Sequence, residues 1–181
     1  MMEKQGCVLC LGFFDGLHLG HQALLQAGKQ AAQRLGLPLC VHTFDRSPSP
    51  FKQAITSLEE RAALLRAYGA EEVHVTVFDE AMRAMTGDRF FEEIVLCEIG
   101  ARYVVCGEDH RFGHKGGWDA NALEKMCRDK GVGFEKVEDV CLEGEKISST
   151  AIRLALQAGD VEKVHRLLGR PAPAHWKQVK E

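Results

Sequence analysis

The segment LGFFDGLHLGHQ, residues 11–22, sets His18 and His21 three positions apart with Gly20 between them. A helix that begins near Leu17 or His18 carries both imidazoles on one face, about one turn apart. Free N–H groups and the helix dipole attract an anion at such an N-terminus. Gly16 and Gly20 lack the side chains that would hold a phosphate away from the backbone. Histidines placed there donate hydrogen bonds to phosphoryl oxygens, most strongly as charge develops in a transition state. The chemistry indicated is phosphate-centred, against the plainer reading of two histidines in a turn. The segment is neither a GxxxxGK[ST] loop nor a GxGxxG fingerprint. A zinc pair would need a third ligand, and none stands at a sensible spacing.

The elements that must position this pair alternate along the chain. CVLCLGFF (7–14) is a continuous apolar run, as expected of a strand buried on both faces. Further strands are predicted over 38–44, 71–78, 102–107 and 133–140. Helical spacing predicts helices over 21–36, 57–69, 88–100, 119–131, 148–159 and 160–169. Ser57 and Glu60 have the spacing of a capping box. Strands alternating with helices imply right-handed crossovers and an α/β fold, a parallel sheet of about five strands with helices on both faces. Ligands bind such sheets beyond the carboxyl ends of the strands. LGFFDGLHLGH, TFDRSPSP and GEDHRFGHKGG each follow a strand, so all three are expected at one edge.

Composition narrows the function classes. The chain has 181 residues with a net charge of −3, enough for one well-buried domain and without the basic field that a nucleic-acid backbone attracts. No segment approaches the ~20 apolar residues of a membrane span. Lys4 and the following apolar run lack a small-residue cleavage site, so the reading is cytoplasmic. Seven cysteines, an odd number, suit a reducing compartment. Cys7 and Cys10 form a lone CxxC within a strand, where residues three apart point to opposite faces, and they read as core thiols.

Two further clusters carry weaker signals of their own. Ser148, Ser149 and Thr150 precede a helix, where such residues are ordinary N-caps, and Arg153 lies one turn in. His110 and His114, in the loop after the fourth strand, read as solvated, with a phosphate contact as the alternative role.

Together these motifs resemble a known family. GFFDGLHLGH is similar to the signature of the HxGH nucleotidyltransferases. HTFDRSPSP, TSLEERAALL, YVVCGEDHRFGHKGG, ISSTAIR and LQAGDVEKVHRLLGRP follow in the order found in the adenylyltransferase module of bacterial FAD synthetases. The resemblance covers nearly all of residues 7–171. It implies a Rossmann-like domain over 1–171 with a short tail at 172–181. It also implies FMN adenylyltransferase activity: ATP and FMN give FAD and pyrophosphate, with Mg2+ carried on the ATP phosphates and no metal site of the protein's own.

The resemblance further implies roles. His18, His21 and Arg153 would be catalytic, gripping the triphosphate. Gly12, Phe13, Phe14, Asp15, Gly107, Asp109, Ser148, Ser149 and Thr150 would complete the ATP site. Thr43, Asp45, Arg46, Phe112 and Asp160 would border FMN, with Phe112 packing on the flavin ring. Two departures stand out. Asp45 is followed by Arg46 where the family usually has proline. After Gly169-Arg170-Pro171 the sequence ends in APAHWKQVKE, without the riboflavin kinase module, so no kinase activity is expected. A different phosphorylated acceptor, or a nucleotide- or flavin-binding module without transfer activity, are the alternatives. Intact His18, His21 and Arg153 speak against the latter.

Overall fold

The central strand β1 (Cys7–Leu11) is buried at every position, the environment that its unbroken apolar run requires. The computed structural model describes residues 5–178; Lys4 and the last three residues of the expected tail lie outside them. From β1 the chain passes through α1 (Leu19–Leu35), β2 (Leu39–Phe44), α2 (Leu58–Ala67), β3 (Glu72–Thr76) and α3 (Glu80–Ala84). The turn α4 (Gly87–Arg89) continues as a π-helix (Phe90–Ile99) and leads into β4 (Ala101–Gly107). A short hairpin, β5 (Arg111–Phe112) and β6 (Trp118–Asp119), precedes α5 (Ala120–Asp129) and β7 (Gly133–Val137). A second hairpin, β8 (Cys141–Leu142) and β9 (Glu145–Lys146), leads to α6 (Ser149–Gln157) and α7 (Val161–Leu168).

Five strands form one sheet in the order β3-β2-β1-β4-β7, and every neighbouring pair is parallel. The chain builds outward from β1 to one side, then returns to place β4 on the other. That reversal makes a crevice at the carboxyl ends of β1 and β4. Side chains alternate across the strands and fill two layers. Leu9, Leu11, Val104 and Cys106 pack with Phe91, Val95 and Leu123. Val8, Cys10, Val41 and Val105 pack with Leu24, Leu25 and Leu65. Cys7 and Cys10 thus belong to opposite faces, as the strand period demands. The expected architecture is the observed one.

Local chemistry explains the element ends. Ser57 and Glu60 make the reciprocal hydrogen bonds of the capping box. Gly36 closes α1 in the left-handed conformation at φ 65°. The predicted strand over 7–14 stops at Leu11 because Phe14 (φ 58°) and Leu17 (φ 45°) turn the chain through the left-handed region. That conformation is costly for bulky residues and is kept only when surroundings fix it. Both side chains are buried, and the Leu17 carbonyl accepts hydrogen bonds from Gln22 and Arg170.

The described residues that follow Pro171 are part of the fold. Trp176 is fully buried with Ile152, Val164 and Leu168, and its Nε1 donates to Glu60 at 3.0 Å. Its ring lies 5.9 Å from the Arg170 guanidinium, which donates to the carbonyls of Gly16 and Leu17. Loss of periodicity concealed this, since one aromatic anchor has no period. Truncating the indole in Trp176→Ala should lower unfolding free energy by about 3–5 kcal/mol. Urea denaturation measures this, and an unchanged midpoint would mean that the indole adds nothing to the fold.

Candidate active site

His18 is the N-cap of α1, and its Nδ1 accepts the backbone N–H of His21 at 3.3 Å. That bond leaves the ring proton on Nε2, a donor free to meet a ligand oxygen. The two imidazoles stack, with centroids 3.6 Å apart and planes 16° from parallel. The edge of Phe14 backs His21 at 5.3 Å. Burial lowers the His18 pKa to about 4, and burial together with His18 holds His21 well below its usual value. Both rings are therefore neutral at pH 7. They offer N–H donors at a positive helix end without repelling each other.

One buried carboxylate organises the surrounding loops. Asp15, 2% exposed, accepts from the backbone N–H groups of Ile55 and Thr56 and from the Thr56 hydroxyl. The Arg153 guanidinium completes its shell and also donates to the Gln53 carbonyl. Ser149 Oγ donates to the Asp15 carbonyl at 2.8 Å, tying the start of α6 to the loop after β1. The N-termini of α1 and α6 are thereby brought to one cleft. His18, Gly20, His21, Gly107, Asp109, Lys146, Ser148 and Ser149 are among the residues lining it. Lys146 bridges Asp109 (2.7 Å) and Asp139 (2.8 Å) across its rim.

A second chamber of ≈ 510 Å3 stands behind the same loops. Phe13, Phe44, Phe78, Phe90 and Phe112 give it aromatic walls, with Met82, His42 and His110. The loop after β1 serves both spaces, with Gly12 and Phe13 facing the chamber and His18 the cleft. The loop after β4 does the same, Gly107 and Asp109 facing the cleft, His110 to Gly113 the chamber. Aromatic walls with a few polar groups are the usual make-up of a small-molecule site.

The residues singled out in the sequence do not all reach these spaces. Phe14, Asp15, Thr150 and Arg153 do not line the cleft. Phe14 supports His21, Asp15 and Arg153 bind each other, and Thr150 is exposed. Thr43 is buried, and its hydroxyl donates to the Phe13 carbonyl, shaping the chamber from behind. Asp45 accepts from the Phe78 backbone N–H and from Arg46, whose side chain is largely exposed. Arg46 stands in an open groove that Arg83 shares with the chamber. Phe112 lines the chamber, while Asp160 caps α7 through Lys163 N–H.

One expectation needs correction. His110 is not solvated: its Nε2 is buried, and its ring stacks on Phe112 at 5.7 Å. Burial lowers its pKa to about 4. His114 is exposed, as expected, with Nδ1 2.9 Å from the Arg83 carbonyl. Sequence reasoning missed Lys146, His42, Arg170 and Arg61. Lys146 immediately precedes the ISST segment, the one local signal available. Arg61, within the TSLEERAALL segment, is buried over the Phe13 ring at 4.3 Å and donates to the Phe44 carbonyl.

Comparison with known proteins follows the same outline. A family model described as FAD synthetase matches residues 1–151. The chain is 34% identical over 174 residues to the bifunctional riboflavin kinase/FMN adenylyltransferase of Pseudomonas fluorescens, covering 93% of this chain and 56% of that protein. For the protein of the same description from Bacillus subtilis (strain 168), identity is 34% over 176 residues, with 93% and 55% covered. The chain spans about half the length of the curated relatives it matches. A crystal structure described as a macrolide-efflux protein from Streptococcus pneumoniae aligns with TM-score 0.84 at 32% identity, covering 93% of this chain and 57% of that one.

Two outcomes follow from this geometry. His18, His21 and His110, with His42 at about 3, have folded pKa values below the ordinary 6.5, burial being the main cause. The unfolded chain therefore takes up protons first as pH falls. Stability is full above about pH 6.5 and declines below it, toward the folded values, by up to ~1.4 kcal/mol per pH unit for each histidine. Urea unfolding at pH 8, 7 and 5 should show little change across the first interval and a loss of several kcal/mol across the second. A flat profile down to pH 5 would contradict neutral burial. Asp15→Ala should cost about 3–5 kcal/mol, because it leaves Arg153 and two buried N–H groups unpaired. Denaturation beside wild type checks this, and a loss under 1 kcal/mol would show that the carboxylate is not the anchor.

Proposed function

The chain belongs to the FAD synthetase family, and on that premise we propose that its residues transfer AMP from ATP to the phosphate of FMN, giving FAD and pyrophosphate. The observation that carries this reading is the pairing of a phosphate-suited cleft with an aromatic chamber on two shared loops. ATP enters the cleft as its magnesium complex, the metal arriving with the substrate phosphates. His18 and His21 donate from their rings to the phosphates at the positive end of α1. Lys146 and the start of α6, with Ser148 and Ser149, add donors from the opposite wall.

FMN occupies the chamber, its flat ring against Phe112 and the neighbouring aromatic side chains. An oxygen of the FMN phosphate attacks the α-phosphorus of ATP. The new P–O bond forms as the bond from that phosphorus to the β-phosphate oxygen breaks, and pyrophosphate leaves with those electrons. The nucleophile is already an anion, so no side chain has to remove a proton. Alignment and charge stabilisation remain as the protein's contribution. Arg153 acts here as a positioning residue: through Asp15 it sets the loop that presents His18. Thr43, through Phe13, positions the chamber wall. Cysteines without a disulfide among the described residues support a cytoplasmic setting.

The test incubates the purified chain with ATP, magnesium and FMN and separates the flavins over time, with riboflavin replacing FMN in parallel. FAD should form from FMN and not from riboflavin. Removing magnesium with a chelator should stop the reaction. His21→Ala should slow it at least about 100-fold. ATP binding without FAD formation would turn the reading toward a different phosphorylated acceptor. Flavin binding without turnover would turn it toward a non-catalytic module.

A further inference from the structure

A second cluster of chemically active side chains lies away from the cleft. Cys40, Glu72 and His74 bring a thiol, a carboxylate and an imidazole within 4.8 Å of one another. The β2–β3 register explains how: Cys40 stands opposite Glu72, and His74 follows two residues later on the same face. Cys40 and Glu72 sit at the amino ends of their strands, whereas the cleft and chamber gather at the carboxyl ends. The group is independent of the proposed transfer reaction.

Its present hydrogen bonding is incomplete. His74 Nε2 is buried with no hydrogen-bond partner among the described residues, although Glu72 Oε2 stands 3.2 Å away. Cys40 is buried and shares a hydrogen bond with Cys7. Glu72 is exposed on the edge strand, which leaves the cluster a path to solvent.

We propose that Cys40, Glu72 and His74 bind a divalent cation of the zinc class. Thiolate, imidazole and carboxylate together select borderline-soft zinc over hard magnesium or calcium, which take oxygen ligands. Binding removes the Cys40 thiol proton to solvent, and His74 and Glu72 coordinate through a ring nitrogen and a carboxylate oxygen. One thiolate and one carboxylate then balance the dication, so the loaded, half-buried site carries no net charge. The fourth position is filled by water or by the Cys7 sulfur. In the first case the Cys7 S–H donates to the thiolate from behind. The site staples the edge strand β3 to β2.

Cobalt(II) titration of the chain under reducing conditions tests this, with zinc added afterwards as competitor. One equivalent should produce a thiolate-to-cobalt charge-transfer band and the intense visible bands of a tetrahedral ion, and zinc should abolish both. His74→Gln and Cys40→Ser should each weaken binding at least about tenfold. Circular dichroism verifies that both variants fold. His18→Ala with His21→Ala should leave the titration unchanged, separating this site from the histidine pair of the cleft. Absence of the charge-transfer band, or a titration that survives both cluster variants, would overturn the proposal.

Discussion

A buried carboxylate holds the site together. Asp15 is buried, and its charge is offset by Arg153 and by donors from Ile55 and Thr56. Removing any one partner would leave a buried charge or polar group short of its bonds, so the three segments stay locked in one arrangement. Those segments are the loop after β1, the stretch before α2 and the start of α6. Their junction fixes where two helix N-termini point.

Around that anchor the protein keeps the paired histidines of the cleft neutral but polar. The stacked histidines carry no net charge at pH 7, so they do not repel each other within 3.6 Å. Their rings are held at the N-terminus of α1, where the helix dipole favours an anion. The left-handed conformations of Phe14 and Leu17 are the strain that this arrangement requires. Buried packing, Gln22 and Arg170 hold that strain in place, and Trp176 stands behind Arg170. A residue near the end of the chain thereby supports the loop that carries His18.

Much of this was legible in the residues. The unbroken apolar runs, the capping box at Ser57 and the glycine after Leu35 predict the alternating elements, because each depends on neighbours within a few positions. His18 and His21 are legible for the same reason: one turn of helix brings them together wherever the helix lies. What the sequence does not show is that Arg153 and Asp15 bind each other across 138 positions. Nor does it show that His110 is buried, since a polar residue in a glycine-rich loop gives no sign that the loop folds under an aromatic wall.

The sequence alone determined the α/β class, the alternation of strands and helices along the chain, and the histidine pair at a helix mouth. Those features follow from hydrophobic period and local backbone preference, which act over short separations. Tertiary structure decided which residues share a space: that Lys146 reaches the cleft, that Arg61 braces Phe13, that Trp176 is core, and that Cys40 meets His74. The strand order and the loop conformations set those distances. They are fixed only when the whole chain packs, because burying each charged or aromatic group requires partners that no local segment can supply.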